Sequence, residues 1–167
     1  MQRTICFFLY FILITSSTKA QPLIHLPEKE IEDFLCNKGI EIDSCNYHPL
    51  YNELYKWLDT PYQYAGNSNN GIDCSGLVKQ LYNKIYNISL SGGSKDIFNQ
   101  VIVINNINEL MEGDIVFFKI KKNRISHVGV FLKDGYFIHS SVQKGVIISH
   151  LSEPYYQKYY FSGGRIL

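Results

Sequence analysis

Net charge is almost absent from this chain. Sixteen basic residues meet 15 acidic ones over 167 positions, for a formal +1. Nucleic-acid binding needs a clustered basic face. The short run Lys121, Lys122 and Arg124 lies between two apolar segments and reads as a solvated turn. No nucleic-acid partner is expected. Long apolar runs are also missing. The stretch Ile5–Ile14 covers ten residues, where a spanning helix needs about 20. Internal repeats and low-complexity tracts are absent, which argues against solenoids and disordered arrays. What is present is 46% hydrophobic and 14% aromatic content, enough to build one core.

The first 20 residues differ in kind. Arg3 precedes the apolar stretch, and the small polar run Ser16, Ser17, Thr18, Lys19, Ala20 follows it. This is the layout of a secretory signal cut after Ala20, so an exported, periplasmic or extracellular protein is expected. No lipobox cysteine follows the apolar core, and no membrane span is expected after cleavage. Of four cysteines, Cys6 leaves with the signal. Cys36 and Cys45 stand nine apart and could pair in an oxidising setting. Cys74 is left over. The division expected is 1–20 signal peptide, 21–48 N-terminal extension and 49–167 main domain, acting as a monomer.

Hydrophobic spacing supplies the elements. A short helix is expected over Pro27–Asn37, with Pro27 at its first position. A second is expected over Pro49–Leu58, ended by Pro61. Residues 61–73 read as a loop. Cys74, Leu77, Val78, Leu81, Tyr82 and Ile85 form one apolar face of a helix over 74–86, with Asp73 as N-cap. Ser94 caps a short helix reaching Gln100. Strands follow over Asp114–Ile120, Ile125–Leu132, Tyr136–Ser141, Val146–His150 and near Phe161–Ile166. Helices first and antiparallel strands after make the class α+β, with five to six strands.

Cys74 therefore sits at a helix start. A thiol attacks as thiolate, which a helix N-terminus and a nearby imidazolium both favour. Of five histidines, only His127 and His139 lie in expected core strands. A two-residue Asp134-Gly135 turn would put them on opposite faces of their hairpin. A three-residue loop, 133–135, pairs 129 with 139 and puts both imidazoles on one face. Gly129 would then leave room for their rings. In that arrangement His127 serves as base, His139 orients it, and the Cys74 N–H helps hold the oxyanion. A buried core thiol with core histidines fits the same residues, and so does a metal site.

The same residues resemble a family. Tyr62-Gln-Tyr-Ala-Gly66 with Gly71-Ile-Asp-Cys74-Ser-Gly-Leu-Val78 looks like the nucleophile motif of NlpC-type cell-wall cysteine peptidases. Gly113-Asp-Ile-Val-Phe-Phe118 with Ser126-His-Val-Gly-Val-Phe131 looks like their histidine motif, and Phe137-Ile-His139-Ser-Ser141 like the third-residue segment. The resemblance covers about 49–167 and implies a papain-like α+β fold that cleaves peptidoglycan stem peptides without a cofactor or metal. It makes Cys74 the nucleophile, His127 the base and His139 the orienting residue. Tyr62 would stand beside the nucleophile, and Asp73, Ser75 and Ser126 would contact oxyanion or substrate. The tail from Gly145 to Ser149, with Glu153 to Tyr156, looks most like Spr-type murein endopeptidases, which cut D-alanyl–diaminopimelate crosslinks. Other members cut between D-glutamate and the diamino acid. Leu90 is followed by Ser91-Gly92 where members usually have Pro-Arg, which removes the carboxylate contact that arginine would make. A catalytically silent muropeptide-binding domain, or a thiol amidase or acyltransferase, are the rival classes.

Overall fold

The computed structural model describes residues 26–42, 49–121 and 123–166. The expected signal segment and Cys45, and with it the Cys36–Cys45 pairing, lie outside the described residues. The helices are α1 (Leu26–Asn37), α2 (Pro49–Tyr55), α3 (Cys74–Tyr86), α4 (Ser94–Phe98) and α5 (Pro154–Tyr159). A small hairpin, β1 (Asn67–Ser68) and β2 (Gly71–Ile72), precedes α3. The main strands are β3 (Ile102–Ile104), β4 (Ile115–Phe118), β5 (His127–Phe131), β6 (Tyr136–Ser141), β7 (Gly145–His150) and β8 (Tyr160–Arg165). They form one antiparallel six-stranded sheet in the order β3-β8-β4-β5-β6-β7. The α+β class holds.

Alternation along the strands divides the core in two. Ile115, Phe117, Val128, Val130 and Ile138 pack with Leu77, Val78 and Leu81 of α3. Val116, Phe118, Phe131 and Phe137 face the other way, onto Leu151 and Tyr156. Both sheet faces are therefore covered, and β4 and β5 are buried along their whole length. Beside them, Arg165 of β8 grips the buried Asp114 carboxylate, with Nε at 2.7 Å from Oδ1 and one terminal nitrogen at 2.7 Å from Oδ2. Such a bidentate pair fixes orientation as well as distance.

Several boundaries differ from expectation. α2 stops at Tyr55, and the chain tightens into i→i−3 bonds from Lys56, Trp57 and Leu58 before Asp59 turns into the left-handed region. Ser94 is the first residue of α4, with Gly93 in the cap position. The segment 61–73 is not all loop, because β1 and β2 pair there. β3 and α5 have no counterpart among the expected elements. The described part of the 21–48 segment packs on the domain. Ile31, Leu35 and Ile40 are fully buried in the same cluster as Leu50, Leu54 and Leu77.

Each such apolar side chain contributes roughly 1.5–3 kcal/mol through burial. Leu35→Ala should therefore destabilise the protein by about 2–5 kcal/mol, read as a lowered urea midpoint with an unchanged slope. A variant as stable as wild type would mean that α1 is not part of the domain core.

Candidate active site

The β5–β6 hairpin sets the site. Val130 pairs with Ile138 and Phe131 with Phe137. The Leu132 N–H donates to Tyr136 O at 2.8 Å and the Tyr136 N–H to Lys133 O at 2.9 Å, which closes a three-residue loop over 133–135. Asp134 and Gly135 both take positive φ, 52° and 86°. This is the odd-length register, and it carries Gly129 opposite His139. His127 and His139 then share the face that looks toward α5. His127 Nε2 lies 2.9 Å from His139 Nδ1. The imidazoles point at each other at hydrogen-bond distance. Gly129 is required there, because a Cβ would come within 2.7 Å of Ile138 O and 3.1 Å of His139 Cβ.

Paired rungs between β5 and β6 stop at Val130. The N-terminus of α3 enters beside that opening. The Val128 N–H donates toward the Cys74 sulfur, as do the N–H groups of Cys74 and Ser75. Cys74 is half-buried and shares one cleft of about 420 Å³ with Tyr62, Ser126, His127 and His139. Since His139 occupies His127 Nε2, Nδ1 is the ring nitrogen available to the thiol.

The charge states are not those that position alone suggests. Burial pushes the Cys74 thiol up to about 11, the Asp73 carboxylate adds to the rise, and the three N–H groups only partly oppose it. Burial pushes His127 down to about 4. It also holds His139 well below the usual histidine range, with His127 beside it adding to the effect. The resting pair is a neutral thiol and a neutral imidazole. A helix start by itself does not make this cysteine a thiolate.

Asp73 explains part of this. It caps α3 as expected, with Oδ1 accepting from the Gly76 N–H at 2.6 Å and from the Ser75 hydroxyl at 2.8 Å. Its Oδ2 accepts from the Ala65 N–H at 2.9 Å. The carboxylate is occupied by its own chain, and Ser75 is buried behind it. Neither residue is among those that line the cleft. Their work is to tie the 62–66 turn to the helix start. Ala65 stands in that turn at φ 56°, a conformation that suits glycine.

Tyr62 is held beside the segment that leads into Cys74. It bridges Ile72, and Ile72 N donates to Pro61 O at 3.0 Å. Burial raises its phenol, and proximity to Cys74 and Asp73 raises it further. Ser126 lines the cleft while its Oγ accepts from the Lys121 N–H at 2.9 Å, holding the 121–124 turn. Two residues escaped the sequence reading. Ser149 Oγ lies 3.1 Å, and the Tyr156 phenol oxygen 3.0 Å, from His139 Nε2. Their only sequence signal was the tail resemblance through 145–149 and 153–156. Lys121, Lys144, Gln143 and Tyr155 also line the cleft.

A half-buried cysteine at a helix start, sharing a cleft with two histidines of an open antiparallel sheet, is the arrangement a thiol peptidase would need. The model of the NlpC/P60 family matches residues 59–165. The probable endopeptidase NlpC of Escherichia coli (strain K12) is 36% identical over 120 residues, 70% of this chain and 76% of that protein. The murein DD-endopeptidase/murein LD-carboxypeptidase MepS of the same organism is 32% identical over 118 residues, 71% of this chain and 62% of that one. The crystal structure of an NlpC/P60 family protein from Bacillus cereus superposes with a TM-score of 0.65 at 30% identity, covering 71% of this chain and 39% of the other. RipD from Mycobacterium tuberculosis, described as a non-catalytic domain adapted to peptidoglycan binding, has the same fold at 16% identity and a TM-score of 0.58, over 71% of this chain and 95% of its own. The chain belongs to the NlpC/P60 family, and the enzyme class that this membership defines is a peptidase.

Two outcomes test the site's chemistry. Cys74 alkylation by iodoacetamide, taken as wild type minus Cys74→Ala, should keep rising with pH toward about 11. A rate that levels off below neutrality would mean a preformed thiolate. Ala65→Gly should raise stability by roughly 1 kcal/mol by relieving the positive φ, seen as a higher Tm with unchanged thiol reactivity.

Proposed function

We propose that this chain is an exported peptidoglycan endopeptidase working through Cys74, His127 and His139. The carrying observation is the 2.9 Å contact between His127 Nε2 and His139 Nδ1 in the cleft that also holds Cys74. The signal-like residues 1–20 would be removed on export. Residues 49–167 form the peptidase unit, with the described part of 21–48 bracing it through α1.

The cycle follows from the neutral resting pair. The Cys74 sulfur attacks the scissile carbonyl carbon as His127 Nδ1 takes the thiol proton. Charge moves to the carbonyl oxygen, where the Cys74 N–H at the start of α3 and the Tyr62 phenol are suited to receive it. His127 then gives its proton to the leaving amine, and the C–N bond breaks to leave a thioester. Water, deprotonated by His127, cleaves that thioester and restores the thiol. His139 holds the His127 ring throughout and shares the positive charge that appears on it.

Substrate chemistry supports the same reading. Stem peptides carry free carboxylates, and Lys121 and Lys144 line the cleft. They offer cationic contacts where the family's usual arginine is missing after Leu90. The bond cut is D-alanyl–diaminopimelate or γ-D-glutamyl–diamino acid.

Digestion of defined crosslinked muropeptides, read by mass spectrometry, tests the proposal and names the bond. Wild type should release shortened peptides, and Cys74→Ala should lose at least about 10³-fold in rate, since the nucleophile itself is gone. Retained binding without cleavage by wild type would instead make it a silent binding domain, as RipD is described to be.

A further inference from the structure

The third histidine has a problem of its own. His127 can accept the thiol proton on Nδ1 only if its resting hydrogen sits on Nε2. That hydrogen must point at a lone pair on His139 Nδ1, 2.9 Å away. His139 must then carry its own hydrogen on Nε2, and that hydrogen needs an acceptor. Were a hydroxyl to donate to His139 Nε2 instead, every proton along the pair would reverse. His127 would hold its hydrogen on Nδ1 and could not act as base.

Two hydroxyls meet at that nitrogen, Ser149 Oγ at 3.1 Å and the Tyr156 oxygen at 3.0 Å. The Ser149 hydroxyl also donates toward the Tyr156 phenol oxygen. Ser149 comes from β7 and is buried, and Tyr156 comes from α5 and is buried. The Tyr156 ring packs edge-on against both His139 and Phe137, with centroids 5.1 Å and 5.0 Å away. Phe137 in turn stacks on the His139 ring at 4.9 Å. The imidazole is thus fixed in position by aromatic faces, and only its proton placement is left to the hydroxyls.

We infer that Ser149 and Tyr156 are positioning residues that lock His139 as the Nε2–H tautomer and thereby keep His127 Nδ1 free for the thiol proton. The Ser149 hydroxyl donates to the phenol oxygen, and this spends the serine hydrogen that could otherwise reverse the relay. Ser149 Oγ then accepts from His139 Nε2–H. The inference rests on the proposed triad for its kinetic consequence, but the tautomer itself can be read without substrate.

The experiment uses full-length mature protein with ¹⁵N-labelled histidine. Ring nitrogen NMR at neutral pH should place hydrogen on Nε2 of both His127 and His139. Ser149→Ala combined with Tyr156→Phe should move hydrogen to Nδ1 of His139, or populate both tautomers. On a crosslinked muropeptide dimer, kcat should fall on the order of 10²-fold with KM little changed, the size expected for losing a positioned base. Ser149→Thr keeps a hydroxyl and should keep both the wild-type tautomer and kcat within a few-fold. Tyr156→Phe alone removes one oxygen without a cavity and covers the case in which the double variant misfolds; it should shift the His139 ring resonances and lower kcat. Unchanged tautomers in folded Ser149→Ala or Tyr156→Phe protein would overturn the inference. Changed tautomers with no cleavage by wild type would retire the endopeptidase reading and leave this one standing.

Discussion

The geometry of the site depends on the loop joining β5 to β6. Three residues, not two, connect these strands, and the parity of that number decides which face each histidine occupies. Gly135 and Asp134 take the positive φ values that the loop demands. His150 secures it from outside, its Nε2–H donating to Asp134 O at 2.7 Å. Once the register is set, His127, Gly129, Phe137 and His139 fall on one side, and α5 covers them.

The same hairpin opens where the nucleophile arrives. Had β5 and β6 stayed paired beyond Gly129, the Val128 N–H would be bound to β6. It donates toward the Cys74 sulfur instead. Ser140 on β6 reinforces the approach by donating to Ile72 O at 2.7 Å, two residues before Cys74. One covered sheet thus carries both histidines, while a helix on its opposite face carries the thiol.

Much of this was legible in the sequence because its signals are local. The 74–86 periodicity and the Asp73 cap need only neighbouring residues, and both stand as expected. The hairpin parity needs only the count from His127 to His139. Other features lack local signals. α5 is six residues long and buries Tyr156 alone, too little for periodicity to register. β3 sits at the sheet edge with Ile102 and Val103 exposed, so no alternation marks it. The Ala65 N–H that completes the Asp73 carboxylate's bonding comes from eight residues upstream, which no local pattern shows. Ser149 and Tyr156 meet His139 only after three elements have packed.

The protonated state of Cys74 has a consequence for the lifetime of the protein. Peroxide and disulfide attack proceed through thiolate, and a thiol held neutral by burial and by the Asp73 carboxylate offers little of it. The carboxylate that shapes the helix start therefore also shields the sulfur from idle oxidation. In the proposed cycle the sulfur gives up its proton only as His127 takes it during attack on a substrate carbonyl. Durability and reactivity are separated in time by one shared proton.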